Sequence, residues 1–164
     1  MLLILAGCGA AAPAASTTPA GYDFPSLTGR VVDSANLLPV ADRTVLNNKL
    51  TALEKKTGHQ FVVVTVKSLG GHKIEDYGVT LGRTWGIGRK DINDGVLLIV
   101  APTERKVRIE VGYGLEKALR DEETAAIINQ AILPAFKAGD FPRGIVAGVD
   151  GVIREISPPE RLAA

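Results

Sequence analysis

The chain has 164 residues, 46% hydrophobic and 23% charged, with 19 lysines and arginines against 18 aspartates and glutamates. That length and balance suit one globular domain and exclude an intrinsically disordered chain. The net charge of +1 gives no global field favouring an anionic surface, and the few aromatics do not interleave with basic residues, which excludes a nucleic-acid binder.

The first residues, MLLILAGC, end in Leu5-Ala6-Gly7-Cys8, which resembles the lipobox of bacterial lipoproteins. Cleavage before Cys8 and lipidation of its thiol are expected. The basic n-region of a secretory signal is missing, which points to a start codon upstream of Met1, the alternative being an accidental lipobox match. Residues 1–8 thus read as a signal remnant and residues 9–28, rich in Ala, Pro, Ser and Thr, as a flexible tether. Two or more acyl chains on Cys8 would satisfy the two-signal rule for stable membrane attachment. Cys8 is the only cysteine, so no intramolecular disulfide and no Cys-based zinc site can form. The histidines, His59 and His72, have no partner at helix spacing and read as ordinary surface or cap residues.

The folded part spans residues 29–156. Residues 29–38, GRVVDSANLL, form an extended entry. A helix follows over 41–57, with Val45, Leu46, Leu50 and Leu53 on its apolar face and Gly58 as its stop. HQFVVVTVKSL is a strand of β-branched residues. A second helix covers about 74–86, with Ile74, Tyr77, Leu81 and Trp85 on one stripe. Gly78 and Gly82 sit beside that stripe to let the helix approach the sheet, and Trp85 reads as packing rather than ligand binding. VLLIVA at 96–101 is a strand buried on both faces. KVRIEVGYG alternates and pairs back on it as a hairpin. DEETAAIINQAILPAFKAG is a third helix kinked at Pro134. Residues 142–156 form a fourth, and 157–164 a disordered tail. The pattern specifies an α/β three-layer αβα sandwich with a small mixed, mostly parallel sheet.

That topology gives the loop WGIGRKDINDG a location. The strands joined by the second helix run parallel, and the hairpin then places RKDINDG beside GYGLEKALRDEE. Acidic side chains from two segments meet at one sheet edge. Asp91, Asn93, Asp94 and Gly95 do not make an EF-hand: counted from Asp91, position 5 is Gly95 and position 12 is Pro102. A different calcium site remains physically available, because Ca²⁺ takes six to eight oxygens in irregular geometry, and Asp91, Asn93, Asp94 and Glu116 offer several. The competing explanation is structural: Asx residues and Asp-Gly are turn formers, Asp121 suits an N-cap followed by Glu122 and Glu123 in a first helical turn, and Asp140 suits an N-cap likewise. No G-x-S-x-G elbow, catalytic cysteine or Walker loop is present.

The stretches VVDSANLL, LEKKTGHQFVVVTVKSL, WGIGRKDINDGVLLIVA, RKVRIEVGYGLEKALRD and AILPAFKAGDFPRGI, taken in this order over residues 29–155, resemble the TPM domain family. The resemblance implies an αβα sandwich located outside the cytoplasm, with an acidic groove for calcium or another divalent cation. By motif position that groove maps to Asp33, Asp91, Asp94, Glu116 and Asp121. Acid phosphatase activity, claimed for plant members, is also implied as an alternative.

Three functions follow. The favoured one is a lipid-anchored, periplasmic or membrane-face module that binds a divalent cation, Ca²⁺ first, and supports envelope membrane proteins. The second is a metal-assisted phosphatase, in which Arg89, Lys90 and Arg120 would hold the phosphate. The third is a metal-free interaction scaffold.

Overall fold

The computed structural model describes residues 17–157; the signal remnant with Cys8, the first part of the tether and residues 158–164 lie outside them. The elements are β1 (Val31–Asp33), α1 (Val40–Thr57), β2 (Gln60–Thr65), α2 (Ile74–Trp85), β3 (Gly95–Ala101), β4 (Lys106–Val111), α3 (Asp121–Ile127), α4 (Leu133–Lys137) and α5 (Phe141–Ile156). The sheet order is β1-β2-β3-β4, with the first three strands parallel and β4 antiparallel to β3. The fold is the mixed α/β arrangement that the sequence specifies.

Because side chains alternate along a strand, the sheet builds two cores. Val63, Leu98 and Ile109 face α1, α3 and α5, while Val64, Leu97 and Ile99 face α2. The crossovers α1 and α2 therefore lie on opposite faces although both step the same way across the sheet. One of them must be left-handed, an exception to the usual rule. The three-residue β1 at the edge is the short partner in this arrangement.

Tyr22 and Phe24, from the stretch read as tether, pack against the second core. Tyr22 stacks on His72 with centroids 4.0 Å apart, and the Trp85 indole donates to the carbonyl of Pro25 (3.2 Å). Burial raises the Tyr77 hydroxyl to about 12, with Asp23 and Glu104 adding to the shift. Trp85 is thus a packing residue. In α1, Leu46, Leu50 and Leu53 are buried, but Val45, assigned to the same face, is 61% exposed.

The third helix differs from expectation at Pro134. Instead of a kink, the chain inserts a π turn over Ile128–Ile132, where the Leu133 N–H donates to Ile128 O. Proline cannot donate, and the wider turn accommodates its ring. This helix nests into a stripe of α5 lacking side chains. A Cβ on Gly144 would lie 2.5 Å from the Phe136 ring and 3.0 Å from Ile132 O. Gly144→Val is accordingly expected to cost about 2 kcal/mol in urea unfolding, from overpacking that outweighs the gain in helix propensity. An unchanged midpoint would show that the two helices separate freely here.

Candidate functional site

The loop from Gly86 to Asp94 and the turn Gly112–Glu116 meet at the edge of the sheet where β2 and β3 begin. Gly112 N–H donates to Gly95 O (2.8 Å) and Gly114 N–H to Asn93 O (3.0 Å). A Cβ on Gly112 would overlap Asn93 O, and one on Gly114 would overlap Ile92 O. The glycines of GYG therefore serve close backbone approach. Asp91 and Asn93 adopt positive φ (69° and 55°), a conformation that Asx residues tolerate better than most. This accounts for the unusual composition before β3.

Asp94 is the anchor of the loop and only 1% exposed. Its Oδ1 accepts from the Arg89 N–H (2.8 Å); its Oδ2 accepts from Arg89 Nε (2.8 Å) and Nη2 (2.6 Å) and lies 3.0 Å from His59 Nδ1. Burial opposes ionisation, but the Arg89 guanidinium, the Arg89 amide and His59 together hold the carboxyl well below the usual carboxylate range. The Arg89 guanidinium lies over Gly58, where a Cβ would come within 2.8 Å of it. Beside this lock, Gln60 Oε1 accepts from Gly88 N–H (2.8 Å) and Gln60 Nε2 donates to Glu54 (3.1 Å), which also pairs with Arg30.

Above the loop, the C-terminal half of α2 and the end of β4 enclose a groove of ≈ 520 Å³. Gly78 and Gly82 of α2 and Gly86 just after it line this groove without side chains. Gly78 and Gly82 also let the helix approach the sheet, with Cβ positions 2.8 Å from Ile99 and 3.2 Å from Leu97, as their spacing predicts. The polar lining is Arg83, Arg89, Lys90, Asn93, Glu110 and Glu116, with Tyr113, 76% exposed, at the rim.

The five carboxylates expected in one groove are only partly assembled. Asp33 is at the opposite edge, a correction forced by the register: Asp33 pairs with Thr65 at the end of β2, whereas Asp94 precedes Gly95 at its start. Five strand residues put about 17 Å between the two edges. There Asp33 accepts from the amides of Leu37 and Leu38 (both 2.9 Å) and from Thr65 Oγ1 (2.5 Å), closing the turn into α1. Asp94 is saturated by its lock. Asp91 is exposed on the loop. Glu116 and Asp121 line a common pocket next to the groove. Asp121 is the first residue of α3 rather than its N-cap; Glu123 accepts from the Arg120 amide (2.9 Å). Among the described residues no group of three or more His, Cys, Asp or Glu is placed to hold a metal ion. The five are therefore not gathered round one point; Glu116 and Asp121 are the two that line a common pocket.

The lock involving His59 and Arg89, and the groove residues Arg83 and Glu110, were missed by the sequence reading. A signal for the first existed: parallel pairing of β2 with β3 brings the residue before Gln60 level with the residue before Gly95.

A four-stranded mixed sheet with helices on both faces and a polar groove at the loop edge defines a small αβα domain. The TPM domain model matches residues 31–155, and the chain belongs to the TPM domain family. Among solved structures it is similar to the N-terminal domain of a P. gingivalis protein, at 37% identity over 79% of this chain and 82% of that one, TM-score 0.73. It shares its fold with the N-terminal domain of cg2496 from Corynebacterium glutamicum (18% identity, 91% and 96% covered, TM-score 0.61). The same holds for the BA42 protein of Bizionia argentinensis (20%, 74% and 82% covered, 0.63). No curated protein matches the chain.

Proposed function

We propose that this chain is a binding module rather than a hydrolase, with the α2–β4 groove and the adjoining Glu116–Asp121 pocket as its ligand side. A divalent cation, Ca²⁺ in preference, would be held by Glu116 and Asp121 with backbone and water oxygens completing its shell. Lipid on Cys8 would keep the module at a bacterial envelope membrane, where it would support membrane proteins. The observation that carries the choice is the fate of the charged groups. Arg89 is committed to Asp94, and Arg120 to Glu123 (2.5 Å), so two of the three cations a phosphatase would need for phosphate are engaged. The Glu116 and Asp121 side chains, in contrast, enter no ion pair or side-chain hydrogen bond among the described residues.

The test is calorimetric titration of Ca²⁺ into the full chain, compared with Glu116→Gln and Asp121→Asn. Binding in the parent, weakened roughly tenfold or more in each variant, is the expected result. Asp94→Asn is unsuitable as a probe because it would loosen the loop directly. No heat and no calcium-dependent rise in Tm would return these acids to turn and helix-start duty and leave a metal-free scaffold. Phosphate release from a phosphomonoester by the Ca²⁺-loaded chain would instead restore the hydrolase.

A further inference from the structure

At the edge where the parallel strands end, the hairpin turn after β3, the end of α4 and the start of α5 enclose a second pocket of ≈ 600 Å³. Its floor is apolar, formed by Val107 and the rings of Phe136 and Phe141, whose centroids are 4.9 Å apart. Arg105, Lys106 and Lys137 line it, and no acidic side chain does. None of these three cations enters an ion pair among the described residues. Glu104, the nearest acid in sequence, is turned to Ser68 Oγ and the Leu69 amide (both 2.8 Å), and Asp140 to the Arg143 amide of α5 (3.1 Å). Arg105 holds its place at φ 54°, where glycine or asparagine would be less strained. Overall neutrality conceals this concentration of charge.

We propose that this pocket seats an anionic phospholipid of a bilayer, with the headgroup phosphate against Arg105, Lys106 and Lys137 and the start of an acyl chain against Phe136 and Phe141. An apolar floor with a few convergent polar groups, in this size range, suits such a ligand. The path of the chain agrees. His72 Nε2 lies 2.8 Å from Gly21 O, and Gly21 lines a cleft with Ser34 and Lys67, which follow the ends of β1 and β2. Gly21 therefore lies at this same edge, so a membrane anchor on Cys8 would approach from it. This direction of approach rests on the Cys8 anchor proposed above; the pocket's lining does not.

The experiment is sedimentation of the full chain carrying Cys8→Ser, so that acylation cannot contribute, with phosphatidylglycerol-containing and pure phosphatidylcholine vesicles. Binding to the anionic vesicles alone, weakened by salt, is expected. Arg105→Gly should reduce it about fivefold, and Lys106→Gln with Lys137→Gln about thirtyfold. Arg105→Gly should meanwhile keep or raise Tm, which a merely structural arginine would not do. Lys55→Gln with Lys56→Gln, at the far edge, should bind like the parent. Equal partition to both vesicle types, no binding, an equal loss in the far-edge pair, or capture of monomeric dodecyl phosphate without vesicle binding would each overturn the proposal.

Discussion

Asp94→Asn is expected to destabilise the chain by about 3 kcal/mol, lowering Tm by roughly 10 °C. An asparagine amide cannot accept at both positions. Whichever way it is turned, an N–H faces either the Arg89 guanidinium or the Arg89 amide, and a buried donor is left opposed to a donor. The cost falls at the low end of the range for a broken buried pair because the Arg89 side chain is 47% exposed and can rehydrate. Asp91→Asn, on the exposed side of the same loop, should stay within about 0.5 kcal/mol. Urea unfolding of the two variants makes the comparison, and equal midpoints would show that the lock contributes nothing. The same carboxylate sets a pH dependence. Its native pKa is depressed, so the folded state binds fewer protons at Asp94 than the unfolded state does. The stabilisation is complete above the ordinary carboxylate value of about 4 and is lost as pH falls from there towards the native value. Asp94→Asn should flatten that acid limb.

Gly114→Ala is expected to cost about 3 kcal/mol or to prevent folding, because the new Cβ would overlap Ile92 O and lie 3.2 Å from Asn93 O. Both are backbone atoms with no side-chain freedom to give. The fault is steric rather than conformational: Gly114 is not among the glycines with positive φ. Asparagine should therefore fail there as badly as alanine. At Gly86, where φ is 63° and nothing lies within 4 Å of a Cβ, asparagine should cost less than about 1 kcal/mol. Denaturation midpoints for Gly114→Ala, Gly114→Asn and Gly86→Asn test this ordering. Tolerance of alanine at 114 would mean that the two segments are not held in contact.

Much of the frame is legible in the sequence because its determinants are close neighbours in the chain. The period of Leu46, Leu50 and Leu53 gives α1, the β-branched run gives β2, VLLIVA gives a strand buried on both faces, and Gly58 gives a helix stop. Parallel pairing followed by a hairpin was enough to bring RKDINDG against GYG. The tertiary structure decided what each acidic side chain does there. Asp33, Asp91, Asp94, Glu116 and Asp121 look alike in a string, but register sends Asp33 to the far edge and gives Asp94 to Arg89 and His59. Glu116 and Asp121 both line one pocket. Tertiary packing likewise draws Tyr22 and Phe24 onto the α2 core and brings Arg105, Lys106 and Lys137 round Phe136 and Phe141. Periodicity and turn chemistry are local energies and can be read locally. A carboxylate's partner, its burial and its charge surroundings depend on which distant segments pack together, and that is set only when the sheet pairs and the helices close over it.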